Sequence, residues 1–138
     1  MSDGGLGKFQ KRMAAIPKAI REAATPALIK GAEEIARKAR ANARPSKDTG
    51  ALMNSITVTP PGGSTPAYSQ PGGGKVVPEN AARVTVGNSE VRYAHLVEYG
   101  TTKAAAQPYF WPAVRAVGKR ARNRVTRAIR KAIREARG

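Results

Sequence analysis

The side chains able to do chemistry in this chain are mostly cationic and crowd one end. Arg115, Lys119, Arg120, Arg122, Arg124, Arg127, Arg130, Lys131, Arg134 and Arg137 fall within residues 112–138, where Glu135 is the lone acid. Such a row can pair with phosphates, dock on an acidic protein surface, or stand solvated. Phosphate contact would be independent of base sequence and steeply salt-dependent. No aromatic residue interleaves the cations, so stacking on single-stranded bases is not indicated. No helix-turn-helix or zinc-finger pattern occurs.

Catalysis has little to work with. His95 is the only histidine, and inside Tyr93-Ala94-His95-Leu96-Val97 it reads as a packed or interface residue rather than a base. Most of the nine acids are flanked by basic residues and read as ion-pair partners on helix faces. No spacing of His, Asp and Glu offers a metal set. The chain has no cysteine, which excludes disulfides and thiolate sites. Gly72-Gly73-Gly74-Lys75 resembles a phosphate loop superficially but lacks the full pattern and the helix that must follow, so it reads as linker. The expectation is no enzyme, no cofactor and no metal.

Glu98 stands apart from the other acids, set between Val97 and Tyr99. It either pairs with an arginine across a subunit boundary or serves within the chain, as an ion-pair partner or an N–H acceptor fixing a turn at Gly100. Around it lie five of the seven aromatic residues: Tyr93, Tyr99, Tyr109, Phe110 and Trp111. Large apolar side chains build small cores, and Tyr and Trp also anchor interfaces. The run Tyr109-Phe110-Trp111 therefore packs the last helix on a sheet, or anchors a neighbouring subunit, or does both. Tyr93, Glu98, Tyr99, Gly100, Tyr109, Phe110 and Trp111 form the candidate oligomer interface.

These residues need elements to position them. Leu6, Phe9, Met13, Ile16 and Ile20, continued by Leu28, Ala32, Ile35, Ala39 and Ala43, recur at helical spacing. Pro17 and Pro26 interrupt the pattern, so the expectation is two helices over 6–23 and 26–43, with Thr25 as N-cap of the second and Pro45 as its stop. Asp48 or Thr49 caps a short turn through Leu52-Met53. Residues 55–59 and 82–87 alternate as strands and form a long-loop antiparallel hairpin. Between them, 60–80 is Gly/Pro-rich turn chemistry with no means of burying a core. It is read as a flexible loop, either functional or simply a surface excursion, with Tyr68 as a possible anchor. Val91 to Tyr99 reads as a strand start over 91–93 passing into a short helix that stops at Gly100. Pro112 opens the last helix, whose apolar stripe is Val114, Val117, Ala121, Val125, Ile129 and Ile133.

The length of 138 residues fits one domain, 1–138. Aromatic residues make up only 5%, so the core is thin, and subunit contacts can bury what folding leaves exposed. The formal charge of +16 disfavours an isolated monomer and favours polyanionic partners. No apolar run approaches the ~20 residues of a membrane helix, and the first residues do not read as a signal peptide. The class is α+β: N-terminal helices, a small antiparallel sheet, and a long basic C-terminal helix packed over it.

Two motifs carry a resemblance. Tyr93-Ala94-x-x-Val97-Glu98-Tyr99-Gly100-Thr101, followed by Gln107-Pro108-x-x-x-Pro112-Ala113, resembles the signature of the Hong Kong 97-type gene-product-ten family of tailed-phage neck and tail-completion proteins. Thr49-Gly50-x-Leu52-x-x-Ser55-Ile56 resembles that family's upstream element, and the similarity runs from about Ile35 to Val117. The resemblance implies a structural virion protein at the head–tail junction or upper tail, assembled in the host cytoplasm. It implies a closed homo-oligomeric ring, expected to be hexameric, around the DNA path, completing the tail or joining it to the connector. Neighbouring connector and tail proteins and genomic DNA are the implied partners, with no membrane. The competing reading is a nonspecific DNA-binding architectural protein; a nucleic-acid hydrolase is remote, lacking metal and acid–base sets.

Overall fold

The computed structural model describes residues 7–8, 11, 17–43, 49–71, 73–79, 81–91, 94, 98 and 108–137. Its elements are α1 (Lys18–Ala43), α2 (Thr49–Asn54), β1 (Thr57–Thr59), β2 (Arg83–Thr85) and α3 (Phe110–Arg137). The α+β class is as expected: the elements complete among the described residues are two long helices, a short one and a two-stranded antiparallel sheet.

Helix α1 corrects one expectation. It runs unbroken through Pro26. The missing N–H and the ring clash make an interior proline costly. Pro26 faces solvent, however, while Ala24 and Leu28 on either side are held against Val125 and Ile129 of α3. Tertiary packing outweighs the local penalty. Thr25 is therefore not an N-cap; its hydroxyl donates to the Arg21 carbonyl at 3.2 Å, inside the helix. The start lies instead at Pro17, whose carbonyl accepts from Ile20 and Arg21. Upstream, Gly7, Lys8 and Lys11 are helical; Leu6, Phe9, Met13 and Ile16 lie outside the described residues, as does Pro45.

Helices α1 and α3 lie antiparallel, with Ala24 and Leu28 level with Ile129 and Val125, and Ala36 and Ala39 level with Ala113 and Phe110. The buried face of α1 is almost all small: Ala24, Gly31, Ala32, Ala36, Ala39 and Ala43. Small residues let backbones approach closely, and at Gly31 a β-carbon would sit 3.1 Å from that of Ala121. Alanine there gains helix propensity of ~1 kcal/mol, which opposes the squeeze. Leucine has no such space, and we expect Gly31→Leu to lose about 2–3 kcal/mol of stability. A urea midpoint unchanged from wild type would contradict this packing.

The stripe on α3 is as expected, with Val117, Ala121, Val125 and Ile129 buried. The helix begins at Phe110, two residues before Pro112. Its principal partner is α1 rather than the sheet, which corrects the expected packing. Its first turns, through Trp111 and Val114, share a core cluster with Val58 and Val84, and Ala82 packs near Val125 and Ile129.

The strands pair as expected, in the register Thr57↔Thr85, Val58↔Val84 and Thr59↔Arg83. The intervening excursion does bury apolar surface, contrary to expectation: Val77 is 1% exposed. Backbone bonds close it, Gly62 N–H to Val77 O at 2.9 Å and Val77 N–H to Gly63 O at 2.8 Å. Thr65 bonds Lys75 through both backbone and hydroxyl, and Gln70 exchanges both backbone bonds with Val86. Val91 is not in a strand. Its N–H and that of Glu90 donate to Asn88 Oδ1, forming a side-chain-closed turn. Gly87 enters this turn at φ 90°, where a β-carbon would lie 2.8 Å from the Val91 carbonyl. Of the short helix expected next, Ala94 and Glu98 are helical.

Candidate functional site

The first four N–H groups of a helix have no partner within it. At α3 a single side chain answers for them. Glu98 Oε1 accepts from Tyr109 N–H at 2.9 Å and Phe110 N–H at 2.8 Å, and Oε2 accepts from Trp111 N–H at 3.3 Å. The next residue, Pro112, has no N–H to satisfy. The carboxylate is buried and sits where the helix dipole favours negative charge. Glu98 thus acts within the chain as an N–H acceptor, but at the start of α3 rather than at Gly100.

The aromatic run divides by direction. Tyr109 is fully buried, and its hydroxyl donates to the Ala94 carbonyl at 3.0 Å. Asn42 Nδ2 donates to the Tyr109 carbonyl at 3.2 Å, tying this corner to α1. Phe110 is buried and meets Trp111 edge to face, with ring centroids 5.1 Å apart. Trp111 itself remains partly exposed. Tyr93, His95, Tyr99 and Gly100 lie outside the described residues.

The upstream motif is equally internal. Leu52 and Ile56 are buried, and Ser55 bridges two elements: its hydroxyl donates to Leu52 O at 2.7 Å and accepts from Gly87 N–H at 3.0 Å. Arg40 of α1 donates to the Ile56 carbonyl at 2.7 Å. The motif residues are thus the joints between α1, the short helix and the sheet.

The ten cations of α3 are not equivalent. Glu34 of α1 reaches across to Arg120 Nε at 3.2 Å and to Arg124 Nη2. Its side chain is only 12% exposed, so this cluster is less screened than an ordinary surface pair. Lys131 lies 4.0 Å from Glu135, an exposed pair of little energetic weight. Arg122 is half-buried beside Gly118. Arg115, Lys119, Arg127, Arg130 and Arg134 are exposed and have no acidic partner among the described residues. Helical periodicity puts these five on one arc of α3, opposite the stripe packed on α1. The side chain of Arg137 lies outside the described part. Within this cluster Glu34 is the participant that sequence reasoning did not single out; nothing local links it to cations some ninety positions later. No cluster of His, Cys, Asp or Glu able to hold a metal occurs among the described residues.

Residues 7–100 match the family model described as "Bacteriophage HK97-gp10, putative tail-component". The chain belongs to this family. The match begins earlier than the motif resemblance suggests and ends at Gly100, so α3 lies beyond the matched span. No curated protein matches the chain, and no solved structure does. Family membership makes the protein a structural component of a bacteriophage tail, with other virion proteins as its partners. No described helix is long and apolar enough to cross a membrane.

One surface of this tail component is neither polar nor closed. A cleft of about 300 Å³ opens between α1, the first half of α3 and β2, lined mainly by apolar groups that include Leu28, Ile35, Val84, Trp111 and Val114. Arg83 and Arg122 are its charged liners. It contains the one candidate interface aromatic whose described side chain still reaches solvent.

Proposed function

We propose that this tail component works as a closed homo-oligomeric ring, with six copies as the expected number, at the head–tail junction or upper tail. The ring encircles the DNA path and completes the tail end or joins it to the connector. Membership of the tail-component family supports the setting. The observation that carries the ring is the apolar cleft around Trp111. Tyr109 and Phe110 are consumed by the protomer core, whereas Trp111, Ile35 and Val84 are left partly exposed, as the anchors of a subunit contact would be. Repetition around a ring adds individually modest contacts into a stable whole.

The test is the mass of the purified protein in solution. Wild type is expected to give one discrete multimer without DNA. Trp111→Glu, placing a charge in the cleft, should weaken each contact by at least about 2 kcal/mol, the hot-spot scale. The variant should run as a folded monomer by circular dichroism and sedimentation. Wild-type protein that stays monomeric at high concentration would defeat the ring.

A further inference from the structure

We propose that the outer arc of α3 is a contact surface for the phosphodiester backbone of duplex DNA, formed by Arg115, Lys119, Arg127, Arg130 and Arg134. This deepens the assembly reading by assigning a partner to one surface. It rests on that reading only for where in the particle the duplex is met.

The structure separates these five cations from the other basic residues of the helix. Glu34 holds Arg120 and Arg124 on the flank that faces α1, and Glu135 sits beside Lys131. The five are left exposed and without an acidic partner among the described residues. Because Val117, Ala121, Val125 and Ile129 fix the opposite face against α1, the rotation of α3 is set and the arc points outward. Like charges one turn apart destabilise a helix, and a face meant only for solubility would carry both signs.

Shape and chemistry favour phosphate over an acidic protein. From Arg115 to Arg134 the row extends about 28 Å along the helix axis. Its successive members lie one or two turns apart, against a duplex that offers one charge per ~3.4 Å of each strand. Asn123 and Ala116 lie on the same face, and Ile133, at its edge, packs against the cluster of Val125 and Ile129. A protein interface normally has an apolar centre ringed by polar groups; this arc has none. With no aromatic on it and no base-reading geometry, contact is to the backbone alone and carries no sequence preference.

The experiment compares two variants that remove equal charge. Lys119→Gln/Arg127→Gln/Arg130→Gln/Arg134→Gln empties most of the arc. Lys30→Gln/Arg37→Gln/Lys38→Gln/Lys75→Gln removes four exposed cations elsewhere. Glutamine keeps helix propensity close to that of lysine and arginine, and circular dichroism checks the fold. Binding to a labelled 30-base-pair duplex is followed by anisotropy between 50 and 200 mM salt. About five neutralised phosphates give a log–log slope of about −4.5, a loss of roughly 500-fold in affinity over that range. The arc variant should flatten the slope by three to four, and the control should keep most of it. Equal losses in both variants would mean that net charge alone attracts DNA and would overturn the proposal. So would absence of salt-dependent duplex binding by wild type, including the case where it binds polyglutamate instead. Mass measured on the same samples separates the two readings. A multimer that ignores duplex overturns this inference and leaves the ring standing; a monomer that binds duplex through the arc does the reverse.

Discussion

Glu98→Ala is expected to remove about 3–5 kcal/mol from the stability of the protein. The carboxylate receives three backbone N–H groups, and each hydrogen bond to a charged acceptor contributes ~1.5–3 kcal/mol. These contributions do not add in full, because one side chain serves all three and its removal also relieves the cost of burying a charge. Alanine leaves the buried amides of Tyr109 and Phe110 without an acceptor, in a region that closes the core, which keeps the loss above that of an ordinary helix cap at ~1 kcal/mol. Glu98→Gln keeps one acceptor oxygen but turns an N–H toward the helix amides, and about half the loss should follow. Urea unfolding followed by far-UV circular dichroism reads both. An alanine variant within ~1 kcal/mol of wild type would mean that the cap is replaceable by water.

Tyr109→Ala should be as damaging, at about 3–5 kcal/mol, since it empties the largest fully buried side chain. Tyr109→Phe separates packing from polarity. It keeps the ring among Ile56, Val86 and Ala94 and removes the bond to the Ala94 carbonyl, so about 1–2 kcal/mol is expected. If the phenylalanine variant were as unstable as the alanine one, the hydroxyl rather than the ring would be holding this corner. Both variants are read by the same urea titration, and because Tyr109 has no exposed surface, neither should change subunit contact except through stability.

Much of the architecture is legible in the chain because it follows local period. The stripe Val117, Ala121, Val125 and Ile129 needs nothing beyond 3.6-residue spacing to be read as a packed face. The strand pair is legible because β-branched alternation recurs on both sides of a turn-rich insertion. Pro26 misleads because its cost is local and its compensation is not: Val125 and Ile129, a hundred residues away, hold the continuous helix on either side of it. Glu98 is legible as an acid that needs a partner, since a carboxylate among apolar residues needs donors or a cation, but whether that partner is internal is not. Which donors is not legible, because the amides it meets belong to the next helix and are reached only after the chain turns back. The sorting of the ten cations is likewise hidden; it depends on Glu34 meeting Arg120 and Arg124 across two antiparallel helices. Trp111 differs from Tyr109 and Phe110 only in the direction that α3 gives it.

The clasp of Gly62 and Gly63 on Val77 has a consequence for how relatives of this chain can diverge. The two strands are brought to register below the clasp, and the arm is tied down again where Gln70 pairs with Val86 beyond β2, so only the turns between these ties are insulated from the sheet. Doubling the length of such an arm costs only about 0.6 kcal/mol in closure entropy. Insertions and deletions can therefore accumulate in the exposed turns between these ties, letting one phage lineage fit its tail to a new neighbour while the joints of the protomer stay unaltered.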